Sequence, residues 1–155
     1  MTNQTSDGSP RILPLRPADG SLAGLLEPLV VAAARPGVRL GCEVDPRLGC
    51  EVDAAALAGL LAPLVEAAVA AALEPDSDSE TPALREVLVT VVDTGHALEI
   101  EVADSGPARP AEPPTPTVRR LLAAVGGTIG SVACAEGGTA VTLSLPRRRA
   151  RGLAA

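Results

Sequence analysis

The polar and apolar positions of this chain fall into blocks of two periods. Over residues 21–34, Leu22, Leu25, Leu26, Leu29 and Val30 recur at helical spacing behind Ser21, a residue suited to cap a helix N-terminus. Pro28 stands inside that block and is expected to kink or split the helix. Residues 54–73 carry the longest helical pattern: Leu57, Leu60, Leu61, Leu64, Val65 and Val69 form a wide apolar stripe, with Asp53 as its cap. Pro63 interrupts that stripe, at a cost on the order of 3 kcal/mol unless the helix bends there. The period then shortens to two. Residues 86–92 (EVLVTVV) and 97–103 (ALEIEVA) read as strands, and Asp93-Thr94-Gly95-His96 joins them as a hairpin turn. In the second strand Leu98, Ile100 and Val102 alternate with Glu99 and Glu101, which predicts one buried and one wet face. A proline-rich loop, 104–116, leads to a short helix over 117–125 that ends at Gly126-Gly127. Two more strands follow, near 128–134 and 139–145, around Glu136-Gly137-Gly138.

An exact repeat lies between the first two helices. Residues 39–45 and 47–53 both read RLGCEVD, with Pro46 between them. A period of eight is too short for a solenoid unit. Each copy can supply a short strand, and the pair could form a hairpin turning near Asp45-Pro46-Arg47; coincidence or local duplication is the favoured reading. The order of elements is then α, β, β, α, β, β, loop, α, β, β. Paired strands alternating with helices predict an α/β (α+β) two-layer sandwich, in which a mixed, largely antiparallel sheet of five or six strands carries helices on one face.

Composition narrows the function classes. The 155 residues are 46% hydrophobic, which suits one domain with a proper core. There is no Phe, Tyr, Trp or Lys, so Leu, Val, Ile and Ala must build the core, and all 13 basic residues are Arg. An Arg and Ala bias of this kind is associated with GC-rich bacterial genomes. The net charge of −6 repels nucleic acid, and a chain without aromatics has no platform on which bases stack. The basic cluster Arg147, Arg148, Arg149 and Arg151 follows the last strand and reads as a solvated tail, 147–155, or as a docking tail for an acidic partner. Cys42, Cys50 and Cys134 are odd in number and form no CxxC, which argues against a disulfide framework and a zinc site. One histidine and no clustered ligands leave no basis for serine, cysteine or metal hydrolysis. The polar N-terminus, read as a flexible tail over 1–11, carries no apolar signal segment, and the longest apolar run, near 64–73, is shorter than the roughly 20 residues of a membrane span. The expectation is a soluble, cytoplasmic protein without membrane or nucleic-acid partners.

From Ile12 to Pro146 the order of elements and several local phrases resemble the histidine-kinase-type ATPase domain of the GHKL superfamily, the Bergerat fold. GVRLGCEVDPRLGCEVDAAALAGLLAPLVEAA is similar to the family's two strands and first ATP-site helix. VADSGPA resembles its adenine-pocket motif DxGxG, and RRLLAAVGGTIGSVACAEGGTAVTLSLP resembles its closing helix, glycine turn and final hairpin. The resemblance implies that Asp104 accepts a hydrogen bond from an adenine amino group. It implies that Gly106 lets the backbone pass close to the base, and that Gly138 and Thr139 help fix the adenine end. Asp104-Ser105-Gly106 also reads simply as a turn after a strand.

The departures from the family pattern concern the phosphates. The family's Mg²⁺-holding Asn falls on Ala67, the earlier polar position of that helix on Pro63, and the last glycine of DxGxG on Ala108; the chain's sole Asn is Asn3. Mg²⁺ needs oxygen ligands, which a methyl group does not offer. Glu66 is near enough to be a ligand, and its plainer role is an exposed helix residue. Between Gly106 and Gly126 there is no glycine, while five prolines lack the N–H groups that would wrap a phosphate. The lone histidine, His96, falls in a hairpin turn rather than on a dimerising helix, so autophosphorylation in the family's manner is not expected.

Together these features predict a degenerate ATPase-like domain acting as a regulatory or protein-interaction module, with ATP or ADP bound weakly or not at all and without Mg²⁺. Its expected partner is a protein, such as a kinase dimerisation domain or a response regulator, met through loop 107–116 and helix 117–125 with Arg119 and Arg120. The alternatives are a nucleotide-binding catalytic or switch subunit in the style of the anti-sigma-factor kinases, resting on Asp104, Gly106 and Thr139, and an unrelated small α/β domain.

Overall fold

In a computed structural model, residues 21–49, 52–75 and 84–147 are described. The tails expected at 1–11 and beyond Arg147 lie outside them. Three helices and five strands follow one another as α1 (Leu22–Ala33), β1 (Arg39–Glu43), α2 (Ala54–Leu73), β2 (Glu86–Asp93), β3 (Ala97–Asp104), α3 (Pro116–Val125), β4 (Thr128–Ala133) and β5 (Thr139–Pro146).

Local chemistry sets the ends of these elements. The Ser21 hydroxyl accepts from the Gly24 N–H, the Asp53 carboxylate from the Ala56 N–H and the Thr115 hydroxyl from the Val118 N–H, so each helix has a side-chain N-cap. Helix α3 starts one residue before the expected 117 because Pro116 suits the first helical position, where no N–H is needed. It stops at Gly126, whose φ of 71° is left-handed. Neither Pro28 nor Pro63 splits its helix: α1 and α2 run through them, and both prolines are exposed.

The five strands form one sheet in the order β1-β2-β3-β5-β4. β1 lies parallel to β2, and every other pair is antiparallel. Val87, Val89, Val91, Leu98, Ile100, Val102, Leu143 and Leu145 are buried on one side, where α2 packs against β2 and β3, while Glu99 and Glu101 are exposed on the other. α1 and α3 pack against α2, so the helices cover a single face. This is the mixed, largely antiparallel two-layer sandwich expected from the periodicity. Its aromatic-free core rests on Leu22, Leu26, Leu40, Leu57, Leu60 and Leu61, each at most 1% exposed. Helix α2 is long and apolar enough to cross a membrane by length and composition, which the run at 64–73 did not reveal; here its stripe is the centre of the core.

Among the described residues the two RLGCEVD copies do not pair as a hairpin. The first copy becomes β1, whose Leu40 and Cys42 are buried and which pairs with β2 instead of with the second copy. The second copy turns away: the Asp45 carboxylate accepts from the Arg47 N–H at 2.9 Å, and the Asp45 carbonyl accepts from Leu48 N–H at 3.0 Å. The Leu48 carbonyl then accepts from the Leu22 N–H at 2.8 Å, and Gly49 bridges Ser21 at the start of α1. Cys50 and Glu51 lie outside the described residues. At the far end of the sheet Arg147, the first residue of the basic cluster, is tied down rather than loose: its N–H donates to the His96 carbonyl, and its guanidinium pairs with Asp93.

Candidate functional site

Asp104 closes β3 opposite Thr139, the first residue of β5. Its carboxylate oxygen Oδ1 accepts from the Gly106 N–H at 2.9 Å. The Ser105 hydroxyl accepts from the Glu86 N–H at 2.8 Å and donates to the Leu84 carbonyl at 2.6 Å, which fastens the Asp104-Ser105-Gly106 turn to the start of β2. Burial pushes the Asp104 carboxyl above its usual range; N–H donation from Gly106, the Arg109 charge and N–H donation from Thr139 oppose that, and Glu74 adds to it.

The two glycines matched to the adenine motif are required by the protein's own backbone. A Cβ on Gly106 would collide with the Ala71 carbonyl of α2, and one on Gly138, whose φ is 90°, would collide with the Asp104 carbonyl. Asp104 and Thr139 line a cavity of about 350 Å³ between α2, the sheet and loop 109–115; Gly106 and Gly138 are not among its lining residues. Of the four residues matched at the adenine end, two therefore face the cavity and two hold the turns that aim them.

The walls of this cavity are mostly apolar. Helix α2 presents Pro63, Leu64, Ala67, Ala68 and Ala71, and the sheet presents Val102, Ile129 and Val141. Ala67 and Pro63, the positions matched to the family's metal-holding Asn and its polar neighbour, thus put a methyl and a ring at the cavity, while Glu66 is exposed and outside its lining. Among the described residues no group of three His, Cys, Asp or Glu side chains is placed to hold a metal ion. The residues present therefore do not fit Mg²⁺ in the family's manner.

The loop that covers the cavity is anchored at its start. The Arg109 N–H donates to the Thr139 hydroxyl at 3.2 Å, and Arg109 Nη2 lies 3.2 Å from Glu74 Oε1, an ion pair that lacks hydrogen-bond alignment. Sequence reasoning missed this pairing, because nothing local links the end of α2 to a loop 35 positions on. Ala108 is exposed at the outer side of the same loop. Arg119 and Arg120 are exposed on α3, away from the cavity. The apolar side of α3 is not free for a partner: Val118 and Leu122 are buried, Leu121 and Val125 pack on the core, and Leu121 fits so closely over Gly59 of α2 that a Cβ there would sit 2.7 Å from its Cδ1. His96 is exposed in the β2–β3 turn.

No protein-family model matches the sequence, and no curated relative matches it. Solved structures do. The catalytic domain of histidine kinase ThkA superposes with a TM-score of 0.64 at 18% identity, over 81% of this chain and 92% of that one. The Acinetobacter baumannii histidine kinase AdeS gives 0.64 at 12% identity, over 83% of this chain and 66% of that one. The Erythrobacter litoralis EL346 blue-light activated histidine kinase gives 0.57 at 18% identity over 81% of this chain, which spans only 40% of that kinase. The sheet order, the single layer of helices and the cavity between α2 and the 109–115 loop are thus set in the fold of the histidine kinase catalytic ATP-binding domain.

Proposed function

We propose that this chain is a degenerate histidine-kinase-like ATP-binding domain that acts as a regulatory or protein-interaction module in bacterial signalling, in the cytoplasm, with nucleotide binding weak or lost. The observation that carries the reading is the α2 wall of the cavity, where Pro63 and Ala67 present no oxygen to a metal and no donor to a phosphate. Loop 109–115 adds Pro110, Pro113 and Pro114, which have no N–H to offer. Each charge-assisted hydrogen bond forgone is worth about 1.5–3 kcal/mol, so a triphosphate forfeits several orders of magnitude of affinity. Partner contact falls to the exposed proline-rich loop and to Arg119 and Arg120, with a kinase dimerisation domain or a response regulator as the partner class.

A nucleotide switch is the competing reading, and the joint presence of Asp104 and Thr139 in one cavity favours it. Isothermal titration with ATP and ADP, each with and without Mg²⁺, separates the two. The module reading expects dissociation constants of about a millimolar or weaker, indifferent to Mg²⁺. Micromolar binding that depends on Mg²⁺ would establish the switch instead.

A further inference from the structure

The charges around the cavity favour a ligand unlike a polyphosphate. Asp104 and Glu112 line it, and the one cation among its lining residues, Arg109, is held by Glu74. The carboxylates of Asp104, Glu112 and Glu74 thus outnumber the single guanidinium at this end of the molecule. The remaining walls, from Leu64, Ala68, Val102, Ile129 and Val141, are aliphatic. At about 350 Å³ the space is within the range that encloses a small organic molecule. Asp104 spends Oδ1 on the Gly106 N–H, yet a carboxylate has about four acceptor positions, so it keeps capacity for a further donor. An aliphatic chamber with a half-buried carboxylate at its edge and excess negative charge around it complements a compact apolar body bearing one positive group.

We propose that this cavity binds a free small organic cation, with an amidinium or ammonium group against Asp104 and an apolar body between α2 and β5. Such a ligand brings a cation to Asp104 and leaves the Arg109–Glu74 ion pair in place. An anion in the same place would have to compete with Glu74 and Asp104 for Arg109 and approach the carboxylate of Glu112. The inference rests on the reading of the cavity as unsuited to triphosphates, and it makes the module responsive to a small molecule.

Benzamidine, benzyl alcohol and benzoate are matched probes of cationic, neutral and anionic heads, with ATP as the fourth arm, read by titration calorimetry and by amide chemical shifts of the full chain. Benzamidine is expected to bind at least about tenfold more tightly than either other aromatic, and Asp104→Asn is expected to erase that advantage. Because Asp104→Asn also disturbs the turn, Ala67→Leu serves as a second variant. It fills the cavity from an exposed helix position and should weaken benzamidine by about tenfold or more with the fold intact by circular dichroism. No benzamidine binding up to about 10 mM, equal binding of benzoate, or binding indifferent to Ala67→Leu each overturn this inference while leaving the module reading in place. Micromolar, Mg²⁺-dependent ATP binding that displaces benzamidine overturns both.

Discussion

The heptapeptide RLGCEVD appears twice between residues 39 and 53 and takes two structures. In the first copy Leu40 and Cys42 point into the core, and the backbone pairs along β2 from Arg39 to Glu43. In the second copy Leu48 is half-buried and Gly49 is exposed, and among its described residues the sheet-like contact is a bridge from Gly49 to Ser21. The final Asp does similar work in both: Asp45 accepts from the N–H two residues on and closes a turn, whereas Asp53 accepts from the N–H three residues on and caps α2. Identical local propensity thus produces a strand where a neighbouring strand lies open, and a turn where Pro46 has reversed the chain and α1 waits at the edge. Short-range chemistry, such as carboxylate capping, is reproduced; strand formation depends on what lies alongside.

That contrast has measurable consequences. The largest concerns the two leucines. Leu40→Ala empties a position with no exposure and should cost about 2–5 kcal/mol in chemical denaturation, while Leu48→Ala should cost about 1 kcal/mol or less. Equal losses would mean that the second copy is as deeply packed as the first.

Next comes thiol reactivity. Burial, with a smaller contribution from Glu43, pushes the Cys42 thiol up to about 11, whereas Cys134 is half-buried in the β4–β5 turn. At neutral pH the thiolate of Cys42 is then on the order of a hundredfold scarcer than that of a free cysteine. Maleimide labelling followed by peptide mapping should modify Cys134 well before Cys42. Early labelling of Cys42 in the folded protein would place β1 outside the core.

The smallest effect separates the two aspartates. Asp53→Ala removes a helix cap and should cost about 1 kcal/mol, and Asp45→Ala about half of that or less, since it loses one exposed turn contact. Thermal denaturation of the two variants side by side resolves the difference, and a reversed order would show that the turn, not the cap, organises this segment.

The site divides along the same line. Asp104, Gly106, Gly138 and Thr139 were singled out by their resemblance to the family's adenine-pocket phrases, which are contiguous in the sequence. The reason for the glycines was not legible there: Gly106 is tied to Ala71 and Gly138 to Asp104, contacts between segments far apart in the chain. The pairing of Arg109 with Glu74 and the seat of Leu121 over Gly59 were equally hidden, and the latter withdraws the apolar side of α3 from any partner.

Period and capping were sufficient for three helices and for the positions of the five strands, because amphipathic spacing and capping are properties of residues a few positions apart. Which copy of the repeat became a strand, which glycines face their own backbone and which charges gather at one cavity were settled by packing. Those outcomes depend on distances between segments that no local pattern encodes.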